Sequence, residues 1–208
     1  MTSTPNERSE PTSSARRVCV FCGSNAGTAA AYAAAARDLG AAMAERGVGL
    51  VFGGGRVGLM GVLADAVLDA GGEVIGVMPG HLIDREVGHT GLTRLEVTRS
   101  MHERKARMAE LADGVIALPG GFGTFEEVLE VLTWNQLGLL ALPVVFLDVG
   151  DFYASLLGFL DGAVEAGFVR PAHRALAQRA TDVDDALARA LAPPPGGSGH
   201  KWIDLDRA

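Results

Sequence analysis

Residues 115–127 read Val115-Ile116-Ala117-Leu118-Pro119-Gly120-Gly121-Phe122-Gly123-Thr124-Phe125-Glu126-Glu127. An apolar run of strand length stops at a proline, passes through three glycines and turns into a helical pattern expected over Phe125–Leu137. That is a strand, a tight glycine loop and a helix N-terminus, the repeating unit of a parallel sheet. The same grammar extends in both directions. Val18–Cys22, Gly49–Phe52, Val74–Met78, Leu95–Thr98 and Val144–Leu147 read as further buried strands. Ala29–Glu45, Leu59–Ala70, Met101–Leu111 and Phe152–Ala166 read as helices between them. A β-like run near Ala175–Ala180 and a helix over Val183–Leu191 close the pattern. Strands alternating with crossover helices predict an α/β fold, a Rossmann-like doubly wound parallel sheet in a single domain.

The domain is expected over residues 17–192. Residues 1–16 are polar and without periodicity, and they read as a disordered tail; residues 193–208 open with three prolines and read as a Pro/Gly-rich C-terminal tail. The chain has 208 residues with net charge −7, which disfavours a broad grip on nucleic acid or on an anionic membrane. No apolar run reaches transmembrane length and the N-terminus lacks a signal-peptide core, so a soluble protein is expected. Only two cysteines occur, Cys19 and Cys22, which points to a reducing, cytoplasmic compartment. Within a strand they would face opposite sides of the sheet, and no second ligand pair follows, so neither a zinc site nor a redox motif is read there. The histidines are scattered and no metal site is expected.

Glycine makes up 28 of the 208 residues, about twice the usual share. Three clusters fall where strands end: Cys22-Gly23-Ser24, Gly53-Gly54-Gly55-Arg56-Val57-Gly58, and Pro119–Thr124. Gly53, Gly55 and Gly58 match G-x-G-x-x-G. The acidic residue a dinucleotide site needs at the end of the next strand is missing, since Glu73 stands at that strand's start. No Walker sequence occurs. The Gly120–Thr124 segment can aim backbone N–H groups at a phosphate from a helix N-terminus. Thr124-Phe125-Glu126-Glu127 also reads as a capping box, which needs no ligand. Glu127 and Glu130 share a helix face. Arg104 and Lys105, near the start of another helix, oppose its dipole unless an anion lies nearby; the alternative is a solvated face with Glu103 and Arg107 paired. The only lysines are Lys105 and Lys201, which leaves a pyridoxal-phosphate Schiff base little to work with.

The segments Pro119–Glu127 and Met101-His102-Glu103-Arg104-Lys105 together resemble the Lonely Guy (LOG) family of cytokinin riboside 5′-monophosphate phosphoribohydrolases, formerly mislabelled lysine decarboxylases. Val20–Ser24, Gly53–Gly55 with Gly58-Leu59-Met60-Gly61, Arg85-Glu86-Val87 and Leu132–Gly138 extend the resemblance over nearly the whole core. Asn25 and the residue before Tyr32 depart slightly from the pattern. The resemblance implies hydrolysis of the N-glycosidic bond of N6-substituted AMP, releasing free base and ribose 5-phosphate. It matches Glu127 and Arg104 to catalytic positions. Glu86, Arg104, Lys105, Gly121, Phe122, Gly123, Thr124, Phe125, Glu126, Glu127 and Thr133 match substrate-binding positions. Gly120, Gly23, Ser24, Gly54, Gly55 and Met101 are candidate phosphate or loop positions. A nucleoside monophosphate is the implied ligand and no cofactor is implied. A homodimer or higher homo-oligomer, with sites near the subunit interface, is the implied assembly. The alternative is a non-catalytic nucleotide-binding protein of the same fold, against which the presence of both Glu127 and Arg104 argues.

Overall fold

A computed structural model describes residues 16–83 and 88–194. The two expected tails fall almost wholly outside the described residues. Seven parallel strands form one sheet in the order β4-β3-β2-β1-β5-β6-β7. They are β1 (Arg17–Phe21), β2 (Gly49–Phe52), β3 (Val74–Pro79), β4 (Arg94–Thr98), β5 (Gly114–Ala117), β6 (Val144–Leu147) and β7 (Ala177–Ala180). The major helices are α1 (Ala30–Glu45), α2 (Gly58–Asp69), α4 (Met101–Glu110), α5 (Phe122–Gln136), α6 (Ala154–Glu165) and α8 (Val183–Ala190). Two single-turn helices, α3 (Gly80–Ile83) and α7 (Pro171–Arg174), were not legible in the pattern.

Alternation along each strand divides the core in two. Val18, Val20, Leu50, Phe52, Ile116 and Val145 point to the face covered by α1, α2 and α8. Cys19, Phe21, Val51, Val77, Val115 and Phe146 point to the face covered by α4, α5 and α6. With both faces covered, central strands are apolar at every position, which is why they read as continuous runs. The edge strands differ: Leu95 and Val97 of β4 are exposed, and β7 carries Gln178 and the exposed Arg179. Helices α1 and α2 approach closely at Gly40, where a Cβ would lie 2.8 Å from the Leu63 carbonyl oxygen.

Strand order fixes where a ligand can bind. The chain runs outward from β1 to β4 and then returns to place β5 against the other side of β1. The loops leaving β1 and β5 therefore diverge to opposite faces and leave a crevice at the carboxyl edge between them. Among the described residues, no helix is long and apolar enough to cross a membrane.

Candidate functional site

Backbone hydrogen bonds tie the glycine-rich loops into one structure. Gly23 N donates to the Pro119 carbonyl at 3.0 Å, and Leu59 N, in the first turn of α2, donates to the Gly23 carbonyl at 3.0 Å. The loop after β1 is thereby held against both the loop after β5 and the start of α2. A cavity of about 260 Å³ opens between them, bordered by Gly23, Ser24, Tyr32, Gly120, Gly121 and Phe152. Gly58 (φ +61°) belongs to this packing, because a Cβ there would stand 2.3 Å from the Ser24 carbonyl carbon. The Gly54 carbonyl accepts from His89 N, and Gly55 bridges Gly88. Internal packing thus accounts for much of the G-x-G-x-x-G segment.

α5 starts three residues earlier than its apolar pattern indicates. Gly121 is its N-cap in extended conformation, and Phe122, Gly123 and Thr124 form its first turn. This corrects the capping-box reading: Thr124 lies inside the helix and caps nothing. Its side chain is buried and folds back over Gly120, where a Cβ would lie 2.1 Å from Thr124 Oγ1. The capping pattern is realised on α4 instead. There Ser100 Oγ accepts from Glu103 N at 3.1 Å, and Glu103 Oε2 accepts from Arg99 N at 2.9 Å. At the start of α5 the backbone N–H groups of Phe122, Gly123 and Thr124 precede any i−4 acceptor within the helix, so they point outward as donors. A Cβ on Gly121 or Gly123 would meet no protein atom within 4 Å. Donors, dipole and low steric profile coincide there, which suits an oxyanion.

Arg104 and Glu127 meet beside this turn. Arg104 is buried; its Nε donates to the Val77 carbonyl at 3.0 Å and its Nη2 to the Gly53 carbonyl at 3.3 Å. Both acceptors lie at the carboxyl edge, on β3 and just after β2. Gly53 is required by this arrangement, since a Cβ would fall 2.0 Å from Arg104 Nη2. Arg104 Nη1 stands 3.7 Å from Glu127 Oε1, and the Glu127 side chain is 13% exposed. The Sδ of Met101 lies 3.8 Å from Nη1. A fixed cation thus stands next to a carboxylate one turn into α5.

Lys105 forms a second rung one residue along. Its Nζ lies 2.5 Å from Glu126 Oε1 and 2.8 Å from Glu130 Oε2, with the Lys105 side chain only 6% exposed. Desolvation pulls the ammonium pKa down. Hydrogen bonds and Coulomb attraction from Glu126 and Glu130 outweigh it, and the value ends above the ordinary lysine level. The alternative of a Glu103–Arg107 pair on a solvated face is not realised: Arg107 bonds Glu96 and Glu110, and Glu103 bonds Arg99. Glu130 is therefore a partner of Lys105 rather than a solvated carboxylate.

The remaining predicted residues spread around this centre. Ser24 and Phe122 are exposed, the latter at 92%. Phe125 packs inward against Phe152 and Tyr153. Thr133 is exposed on the outer side of α5, with its hydroxyl bonded to the Leu129 carbonyl. Glu86 lies outside the described residues. Among the described residues, no cluster of three or more His, Cys, Asp or Glu side chains is placed to hold a metal. Sequence reasoning missed Tyr32 and Phe152 on the crevice wall. It also missed Tyr153 and Asp148, which lie beneath the loop with nothing local to mark them.

Fold and site together define a class: a doubly wound α/β protein whose ligand crevice opens at the sheet's switch point, with an anion-ready helix start beside a buried Arg–Glu pair. A family model described as "possible lysine decarboxylase" matches residues 60–190, and the chain belongs to that family. Among its relatives, the probable cytokinin riboside 5′-monophosphate phosphoribohydrolase LOGL5 of Oryza sativa subsp. japonica is 49% identical, over 86% of this chain and 74% of its own. The cytokinin riboside 5′-monophosphate phosphoribohydrolase LOG7 of Arabidopsis thaliana is 46% identical over 92% of this chain and 90% of its own. Of solved structures, the molybdenum cofactor carrier protein of Chlamydomonas reinhardtii superposes with TM-score 0.63 at 26% identity, covering 83% of this chain and 94% of that one. The "lysine decarboxylase" description fits this site poorly. A Schiff-base lysine must shed its proton, whereas Lys105 is held protonated between two carboxylates.

Proposed function

We propose that the chain hydrolyses the N-glycosidic bond of N6-substituted adenosine 5′-monophosphates, releasing the free base and ribose 5-phosphate. The observation that carries this reading is the Arg104–Glu127 pair, 3.7 Å apart at the first turns of α5. The N–H groups of Phe122, Gly123 and Thr124 take the 5′-phosphate at the positive end of the helix. With the phosphate there, the ribose lies along the first turns, where Glu127 faces C1′. The C1′–N9 bond breaks, its electron pair leaves with the base, which takes up a proton, and the sugar becomes an oxocarbenium-like cation. Glu127 stabilises that cation while the oxygen of water bonds to C1′ and water gives up one proton, which balances the proton taken up by the base. Arg104, fixed by two backbone carbonyls, complements charge on the phosphoribosyl group. Glu86 serves the sugar or base.

The relatives named as cytokinin riboside 5′-monophosphate phosphoribohydrolases support the same substrate class. Incubation with isopentenyladenosine monophosphate, with chromatography of the products, tests it. Free base and ribose 5-phosphate are expected; nucleotide that is bound but unchanged would favour the non-catalytic alternative.

A homodimer is part of the proposal. Phe122, Leu129 and Leu137 are exposed along the outer stripe of α5 that also carries Thr133. Thr133 lies nine residues beyond Thr124, about 13.5 Å along the helix, so as a substrate contact it serves the neighbouring protomer's site better than its own. Sedimentation of wild type and Leu137→Glu tests this, with a dimer expected for the first and a monomer for the second. We also place the protein in the cytoplasm, consistent with cysteines that are both free and buried.

A further inference from the structure

Below the phosphate loop sits a buried hydroxyl that the mechanism leaves without a role. Tyr153, in the turn before α6, is fully buried, and its hydroxyl donates to the Leu118 carbonyl at 2.6 Å. Leu118 is the last residue before Pro119, and its own N–H still belongs to the sheet, donating to the Phe21 carbonyl. The Tyr153 bond therefore acts at the point where β5 ends and the loop begins. The same ring also reaches the loop's far end: Phe125 packs edge-on against Tyr153 with ring centroids 6.3 Å apart. Residues Gly120–Thr124, which supply the N–H groups assigned to the phosphate, lie between these two grips.

Tyr153 is itself held from the neighbouring strands. Its backbone N–H donates to Asp148 Oδ1 at 2.6 Å, and Phe146 packs on its ring at a centroid distance of 4.9 Å. The Asp148 carboxylate is shut off from solvent and bonded through Oδ2 to Arg179 Nε of β7 at 2.6 Å. A continuous chain thus runs from Arg179 through Asp148 and Tyr153 to Leu118. A phenylalanine would supply the same packing at this position without a polar group to bury. The hydroxyl is tolerated because its bond is made, and what that bond does is set the orientation of the Leu118–Pro119 peptide. Burial, with lesser effects from Cys22 and Asp148, pushes the phenol pKa up, so Tyr153 stays a donor at working pH.

We propose that Tyr153 is a positioning residue for the phosphate loop, fixing the direction in which the chain enters Gly120–Thr124 so that the helix-start N–H groups converge on the 5′-phosphate. This rests on the reading that the loop holds that phosphate.

The test compares AMP with adenosine, which lacks the group the loop grips. Calorimetric dissociation constants for both ligands are measured on wild type, Tyr153→Phe and, as a packing control within α6, Leu157→Val. In Tyr153→Phe the AMP affinity should fall about tenfold, equivalent to ~1.4 kcal/mol, with adenosine affinity unchanged and KM for the nucleotide raised in parallel. Leu157→Val should lower the melting temperature and leave the AMP-to-adenosine ratio at the wild-type value. Should Tyr153→Phe not fold, Arg179→Met releases Asp148 from the half-exposed end of the chain and should lower the ratio about threefold. A wild-type ratio in Tyr153→Phe, with only its melting temperature reduced, overturns the positioning role. Wild-type protein that binds adenosine as tightly as AMP overturns the phosphate assignment itself, and the positioning role with it.

Discussion

Replacing Lys105 with methionine keeps the length of the side chain and removes its charge. In the native protein that ammonium lies between Glu126 and Glu130, with Lys105 at 6%, Glu130 at 23% and Glu126 at 56% exposure. An exposed ion pair contributes ~0–1 kcal/mol, whereas stripping the partner from a buried one costs ~3–5 kcal/mol. The Glu126 arm belongs near the first range and the Glu130 arm nearer the second. Repulsion between the two carboxylates, four residues apart on α5, adds ~0.3–0.5 kcal/mol. The expected loss is ~3–4 kcal/mol, a fall of roughly 6–16 °C in melting temperature for a domain of this size. Turnover should fall further, because Arg104 and Glu127 sit one residue along on the same two helices. A displacement of ~1 Å at reacting groups costs ~100-fold. The informative variant adds Glu126→Gln and Glu130→Gln to Lys105→Met. With no charge left unpaired, stability and kcat should largely return if Lys105 acts as a strut between α4 and α5. Thermal melts and steady-state kinetics on the single and triple variants decide it. A single variant that melts within ~1 °C of wild type, or a triple variant that regains stability but not kcat, would refute the reasoning; the latter would make Lys105 or Glu126 a direct substrate contact, as the resemblance implies.

Other changes test separate parts of the account. Gly53→Ala puts a methyl group 2.0 Å from Arg104 Nη2 and should displace the guanidinium, cutting kcat at least tenfold with a modest loss of stability; unchanged kinetics would show that Arg104 need not be held there. Burial, with Glu127 as a lesser cause, raises both thiol pKa values, so Cys19 and Cys22 should resist a thiol reagent at pH 8 in the native protein and react as two equivalents after unfolding. The hydrogen bonds from Arg107 hold Glu96 below the ordinary carboxylate value of 4.5. Its contribution of ~1 kcal/mol is therefore present above pH 4.5 and lost as pH falls through the lower folded value. Urea unfolding should show Glu96→Gln less stable than wild type at pH 7, with the gap narrowing as pH falls below 4.5, and a gap that does not change with pH would contradict the ion-pair assignment.

The strands were legible because a sheet covered on both faces needs apolar residues at every central position. Val144–Leu147 is the plainest case, with all four residues buried. Helix starts were harder. The S/T-x-x-E pattern occurs at both Ser100–Glu103 and Thr124–Glu127, and only the first is a cap. What separates them is Thr124 folding over Gly120, which depends on how far α5 runs back toward β5. The glycine loop stood out through residue type and spacing. Arg104 and Glu127 were singled out only by the family resemblance, since locally one also read as part of a solvated face and the other as part of a capping box. Lys105 was read against its own helix, where Glu103 and Arg107 offered an i, i+4 pair, while its partners lie more than twenty residues away on α5. Tyr153 and Asp148 gave no local signal, since their work depends on β6 lying beside β5 and β7 beside β6. Glycine itself split into two populations: Gly53, Gly58 and Gly120 make room for the protein's own atoms, whereas Gly121 and Gly123 border open space at the helix start.

The most direct test of the central claim is Glu127→Gln, measured for turnover of isopentenyladenosine monophosphate and for AMP binding on the same preparation. The substitution keeps the shape and removes the charge proposed to face C1′. Release of free base should fall by at least ~1,000-fold, about 4 kcal/mol of transition-state stabilisation, while AMP still binds through the loop. Hydrolysis at the wild-type rate would contradict the assignment of Glu127 and the mechanism built on it.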